Sequence, residues 1–124
     1  MVMQANVSKL LLKNVPLFAM LPDDQLEALT AVVRRRSFPR ASTVIAAGDV
    51  SDSLYIVISG TLKVVMSESK GREFTLSNLG VGEYFGEMVP IDHSPRSASV
   101  VALEACELLV LTKHEFMQCL SQNF

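Results

Sequence analysis

The stretch Ser53-Leu54-Tyr55-Ile56-Val57-Ile58-Ser59-Gly60-Thr61-Leu62-Lys63-Val64-Val65-Met66 decides the fold. Leu54, Ile56 and Ile58 alternate with Ser53, Tyr55, Val57 and Ser59, and Leu62, Val64 and Met66 alternate with Thr61, Lys63 and Val65. A period of two sends successive side chains to opposite faces, the pattern of strands half-buried in a sheet. Between the two runs, Ser59-Gly60 stands where a tight hairpin needs a residue tolerant of positive φ. The pattern repeats outward. Gly71 marks a looser turn before Phe74 and Leu76, which alternate with Glu73, Thr75 and Ser77. Ala98, Val100 and Ala102 form another set, and Cys106, Leu108 and Val110 a further one. Short strands with Gly-bearing turns predict a mainly β fold, an antiparallel jelly roll or β-barrel of about eight strands, not a parallel sheet.

Helices flank this region. The apolar stretch from Val7 to Asn14 ends before Pro16, because the residue ahead of a proline disfavours helix. Pro22 suits a first helical turn, Asp23 and Asp24 favour its positive dipole end, and Leu26, Leu29, Val32 and Val33 follow at helical spacing. Arg34, Arg35 and Arg36 are expected to close that helix as a solvated last turn, and three arginines are too few for a nucleic-acid patch. Thr112-Lys113-His114-Glu115 fits a capping box opening a final helix, with Phe116, Cys119 and Leu120 on one face. The expected organisation is a single domain: an N-terminal helical element at 1–36, a β-roll at 37–111 and the start of a C-terminal helix at 112–124. The sequence stops barely two turns into that helix, so it reads as ending before any DNA-binding or other output domain.

Composition narrows the function. The chain has 124 residues, is 49% hydrophobic and 19% charged, and carries a net charge of −2. That apolar content excludes disorder. Lys9 and Lys13 interrupt the apolar N-terminus, which excludes a membrane span there and leaves no secretory signal, so a cytoplasmic location is expected. The chain also lacks the basic surplus of a nucleic-acid binder. Cys106 and Cys119 stand apart, without C-x-x-C or histidines at ligand spacing, and read as reduced, mostly buried thiols rather than a redox pair.

One segment breaks the alternation. Between Leu79 and Ala98, Gly80, Gly82 and Gly86 fall within seven residues, which backbone needs only where it bends sharply or approaches something closely. After Gly86 the chain can make one short helical turn whose free amides form an anion site. Pro95 fixes the entry to the next strand, with Arg96 at its start. Arg96 offers a planar fork to phosphate oxygens, and amides from Gly86 to Val89 can donate to the same group. Glu87 accepts from hydroxyls. These groups suit a ligand with one compact anion and one hydroxyl-rich edge. A Glu87–Arg96 ion pair stapling a long loop is the competing reading.

Phe85-Gly86-Glu87-Met88, followed by Pro95-Arg96-Ser97-Ala98, resembles the phosphate-binding cassette of cyclic-nucleotide-binding domains. The closest likeness is to the sensor domain of Crp/Fnr-type bacterial transcription regulators. Kinase regulatory subunits and gated channels share the cassette. Leu17-Phe18 with Leu21 and Leu26, Gly48-Asp49, Tyr55-Ile56-Val57 and Gly60, and Gly80 with Gly82 extend the resemblance along most of the chain.

The resemblance implies cyclic AMP or cyclic GMP as an allosteric ligand, with no other cofactor and no metal. It assigns Glu87 to the ribose 2′-hydroxyl, Arg96 to the cyclic phosphate, and the Ser97 amide and hydroxyl to that same phosphate. Gly86 and the amides of Met88 and Val89 form the turn beneath, and Ala98 closes the cassette. It implies no nucleic-acid contact from this chain itself, and is compatible with a homodimer of the full-length protein. Two other classes compete. A ligand-free scaffold for dimerisation or partner docking is argued by Pro90 and opposed by the intact Glu87, Arg96 and Ser97. A metal-dependent barrel enzyme needs converging imidazoles, whereas His93 lies in the cassette loop and His114 in a helix cap, both expected at the surface. Catalysis is therefore not expected.

Overall fold

A computed structural model describes residues 9–46, 53–67, 71–86 and 98–122. In chain order the elements are α1 (residues 9–12), α2 (Pro16–Ala19), α3 (Asp23–Val32), β1 (Arg34–Phe38), β2 (Thr43–Ile45), β3 (Ser53–Ser59), β4 (Leu62–Ser67), β5 (Glu73–Leu79), β6 (Tyr84–Gly86), β7 (Ser99–Ala102), β8 (Cys106–Thr112) and α4 (Lys113–Gln122). The described strands form two four-stranded sheets, ordered β1-β8-β3-β6 and β2-β7-β4-β5, and every pairing is antiparallel. This is the mainly β roll with flanking helices that the alternation predicts.

Two apolar layers hold it together. Ile45, Val57, Leu62, Leu79, Val100, Ala102, Cys106 and Leu108 pack between the sheets. On the other face of the first sheet, Leu54, Ile56, Leu109 and Leu111 are covered by Leu12, Phe18, Leu26, Leu29, Phe116 and Cys119 from the helices. The Phe18 and Phe116 rings meet at 5.3 Å, tilted by 43°. β3 and β8 are thus central strands buried on both faces. That is why Val57, placed by simple alternation on the polar side of β3, is fully buried.

The structure corrects three sequence expectations. Ser59-Gly60 is not a hairpin, because β3 pairs with β6 and β8 while β4 pairs with β5 and β7. The chain crosses from one sheet to the other at Gly60, whose φ of 90° is the predicted positive value. A Cβ there would lie 2.6 Å from both the Ala105 carbonyl oxygen and the Cys106 sulfur, so the corner needs glycine for space as well as conformation.

Second, Arg34–Arg36 do not close a helix. α3 stops at Val32, Val33 is already extended, and the arginines are edge strand β1, in register from Arg34↔Val110 to Phe38↔Cys106. Ladder hydrogen bonds to β8 outweigh the dipole preference, and the roll starts at Arg34 rather than at residue 37. Charged side chains on an edge strand oppose strand addition by another chain. Arg34 pairs with Glu115 and Arg35 with Glu107, each at 2.8 Å, while the Arg36 guanidinium lies 5.5 Å from the Phe38 ring centre.

Third, the alternation fails at the end of β4. Val65 is buried and Met66 is exposed, although β4 stays in regular register with β7; its other neighbour, β5, carries one extra residue there, since Ser77 faces Val64 and Thr75 faces Val65, so Leu76 has no opposite number.

The final helix opens as expected. The Glu115 amide donates to the Thr112 hydroxyl at 3.1 Å, while the Thr112 amide and hydroxyl both donate to Glu115 Oε1 at 3.0 Å. Phe116 and Cys119 are buried on one face. Both cysteines are buried and unbridged, and burial pushes both thiols up from their ordinary pKa. Among the described residues no helix is long and apolar enough to cross a membrane.

Candidate functional site

Of the residues expected to bind ligand, Gly86 and Ala98 are described; Glu87, Met88, Val89, Arg96 and Ser97 lie outside the described residues, as do Pro90 and His93. The structure does describe the frame that carries them. The approach begins at a turn over residues 80–83. The Glu83 amide donates to the Gly80 carbonyl at 3.0 Å, and the Gly80 amide donates to Glu83 Oε1 at 2.8 Å. The turn is fixed to the middle of β3, since the Gly82 amide donates to the Val57 carbonyl and the Val57 amide donates to the Glu83 carbonyl, both at 2.9 Å.

From there β6 runs along β3, pairing Tyr84 with Ile56, Phe85 with Tyr55 and Gly86 with Leu54. The Tyr55 and Phe85 rings are stacked at 5.0 Å and 8°. Such a pair adds about 0.5–1.5 kcal/mol beyond its buried area. It fixes the last strand residues before the cassette. The sequence concealed this pair, because the two aromatics become neighbours only once the register of β6 against β3 is known.

Gly86 ends the strand at φ 101°, a conformation that side chains rarely adopt. A Cβ on it would stand 2.3 Å from the Ser53 carbonyl oxygen. Sterics and conformation therefore both demand glycine where the chain turns away from the first sheet. It rejoins the roll in the second sheet, at Ala98 and then Ser99, which faces Val65. The described residues on either side, Gly86 and Ser99, thus end and begin strands of different sheets. β3 and β4 are joined through Gly60, so the start of β3 beside Gly86 and the end of β4 beside Ser99 share the opposite end of the roll. At that end β4 and β5 present Met66, Phe74 and Leu76 as exposed apolar side chains, and Met66 faces Phe74 directly.

A concavity lies at the Gly60 end. It is a cleft of about 390 Å³ lined by Ser37, Phe38, Pro39, Ser59, Ala105, Cys106 and Glu107. Its carboxylate, Glu107, is engaged by Arg35, and its thiol donates to the carbonyls of Thr61 and Glu104. Among the described residues no group of three or more His, Cys, Asp or Glu side chains could hold a metal ion, and His114 is exposed.

Comparison with known proteins agrees with this frame. The sequence profile of the cyclic nucleotide-binding domain matches residues 35–123. The chain is 37% identical over 106 residues to the cyclic AMP receptor protein of Thermus thermophilus, covering 86% of this chain and 49% of that one. It is 35% identical over 92 residues to the cAMP-dependent protein kinase type II regulatory subunit of Drosophila melanogaster, covering 74% of this chain and 24% of the subunit. The crystal structure of the N-terminal domain of a transcriptional regulator from Streptomyces coelicolor superposes with a TM-score of 0.81 at 34% identity, over 90% of this chain and 80% of that one. The chain spans about half the length of its Thermus relative. A glycine-turned cassette frame between two antiparallel sheets, matched by profile over most of the length, places the chain in the cyclic nucleotide-binding domain family.

Proposed function

We propose that this chain is a cyclic-nucleotide sensor domain, binding cyclic AMP or cyclic GMP and serving a Crp/Fnr-type transcription regulator. The observation that carries the reading is Gly86, turned at φ 101° against the Ser53 carbonyl where β6 ends, one residue before Glu87. In this reading Arg96 pairs with the cyclic phosphate, helped by the Ser97 amide and hydroxyl and by the amides of Met88 and Val89. Glu87 accepts the ribose 2′-hydroxyl. Each charge-assisted hydrogen bond of this kind contributes about 1.5–3 kcal/mol. The exposed apolar side chains of Met66, Phe74 and Leu76 supply a surface at the same end for the flat base.

Binding would act by population shift. The ligand favours one arrangement of cassette and flanking helices, and those helices bias an output module. The domain itself is read as neither catalytic nor metal-dependent, without nucleic-acid contacts of its own, and as working in the cytoplasm within a homodimer of the full-length protein. A kinase regulatory subunit is the second reading, favoured by the match to the Drosophila subunit. Calorimetric titration with cyclic AMP and cyclic GMP tests the proposal. Saturable heats with at least one nucleotide are expected, and heats equal to buffer for both would overturn it.

A further inference from the structure

The Gly60 end of the roll carries groups that the sensor reading leaves unused. There β1, β8 and β3 lie side by side, and Glu107 of β8 faces Ser37 of β1 on one side and Ser59 of β3 on the other. A carboxylate thus stands in one row between two hydroxyls. All three residues line the cleft of about 390 Å³, a volume within the range of small-molecule sites. Arg35 Nε donates to one carboxylate oxygen, Oε2, at 2.8 Å. Among the described residues, Glu107 Oε1 and both serine hydroxyls carry no hydrogen bond or ion pair. Phe38, Pro39 and Ala105 supply apolar lining to the same cleft. Three open acceptors therefore border one apolar surface. A primary ammonium has three N–H donors and no acceptor, so it matches such a row one for one, with a charge-assisted bond to the carboxylate. An alcohol offers a single donor, and an anionic head would meet Glu107 as a like charge.

We infer that this cleft is a binding site for a small primary amine with a short apolar body. Its ammonium is held by Glu107 Oε1 and the Ser37 and Ser59 hydroxyls, and its body lies against Phe38, Pro39 and Ala105. The site is separate from the cassette, and the inference does not rest on the sensor reading. Arg35 acts as an internal competitor, because its guanidinium neutralises the carboxylate that the ammonium needs.

The test uses three probes with one apolar body and different heads: phenethylamine, phenethyl alcohol and hydrocinnamate, which are cationic, neutral and anionic at neutral pH. Each is titrated at constant ionic strength and followed by the backbone amide signals in NMR spectra. Phenethylamine is expected to bind saturably with a dissociation constant of about 1 mM, at least about threefold tighter than the alcohol. It is also expected to move the amide signals of Ser59, Cys106 and Glu107. Every variant is titrated well below its own thermal midpoint, measured by circular dichroism. Glu107→Gln keeps the side chain's shape and is expected to weaken amine binding by about tenfold, and Ser59→Ala by about threefold. Arg35→Met releases the second carboxylate oxygen and is expected to tighten it by about threefold. Arg36 and Arg40 are exposed and adjoin the lining in sequence. If they set the preference, hydrocinnamate binds best and the assignment is overturned. It is equally overturned if the amine binds no tighter than the alcohol, or if Glu107→Gln binds it as well as wild type.

Discussion

Gly86 lies directly opposite Leu54 in the β6–β3 pair, so close that a Cβ on the glycine would sit 2.3 Å from the preceding carbonyl, that of Ser53. Leu54 is itself 3% exposed, in the core beneath the helices, so the strand cannot back away without disturbing Phe18 and Phe116. Gly86→Ala therefore meets two penalties: a backbone conformation worth about 1–3 kcal/mol of strain for a non-glycine residue, and a clash with backbone that has no room to move. We predict a loss of about 2 kcal/mol or more in denaturant unfolding. We also predict at least about tenfold weaker nucleotide binding at temperatures where the variant stays folded, because the cassette's exit direction changes. Wild-type stability in this variant would show that the glycine is not wedged.

Arg96→Ala and Glu87→Ala should each weaken the binding of cyclic AMP by roughly 10–150-fold, the equivalent of one charge-assisted hydrogen-bond set lost. Thermal midpoints should barely move. If the two side chains formed only a loop-stapling ion pair, the opposite split would appear, with stability reduced and affinity unaltered.

How much of this was legible in the sequence depends on what each residue's neighbours are. Alternation in residues 53–66 and 98–110 exposed the strands, since period two is a local property. The capping box Thr112-Glu115 was legible for the same reason: its partners lie three residues apart. What stayed hidden depends on pairing. Whether Gly60 turns a hairpin or a corner between sheets is decided by β8, some fifty residues on, and the helical or extended fate of Arg34–Arg36 by the same strand. β2, only three residues long between Pro39 and Gly48, gives no periodic signal of its own. Of the candidate site, Gly82 and Gly86 could be read because both take a positive φ and a Cβ at either would meet a close neighbour, whereas Gly80 has neither a positive φ nor a tight contact. The stacked Tyr55 and Phe85 could not, because nothing local brings them together.

The two thiols offer a check on the packing of both cores. Cys106 closes the space between the sheets and Cys119 lies on the buried face of α4, at 2% and 7% exposure. Burial and the raised thiol pKa both suppress the reactive thiolate. A chromogenic disulfide reagent near pH 8 should label the native chain slowly, and should release two equivalents rapidly once guanidinium unfolds it. Rapid titration of either thiol in the folded chain would contradict this packing.

Glu115 gives the fold an acid-sensitive joint whose sign can be worked out. Desolvation pushes its carboxyl up, but the Thr112 backbone amide, the Arg34 guanidinium and the Thr112 hydroxyl together outweigh it, and the net shift is downward. A carboxyl whose pKa is lower folded than unfolded contributes stability that is complete above its unfolded value, about 4.3, and disappears as pH falls through the lower folded value. Arg34 is largely exposed, so its share is a surface-pair energy of about 0.2–1 kcal/mol, with the helix cap adding about 1 kcal/mol. Glu115→Gln keeps the side chain's shape and one acceptor but removes the charge. We predict that this variant is less stable than wild type by about 1 kcal/mol at pH 7, and that the gap closes as pH is lowered from about 5 towards 3. Urea unfolding at a series of pH values measures it. A gap that stays constant over that range would mean that the charge on Glu115 contributes nothing to holding α4 against β1.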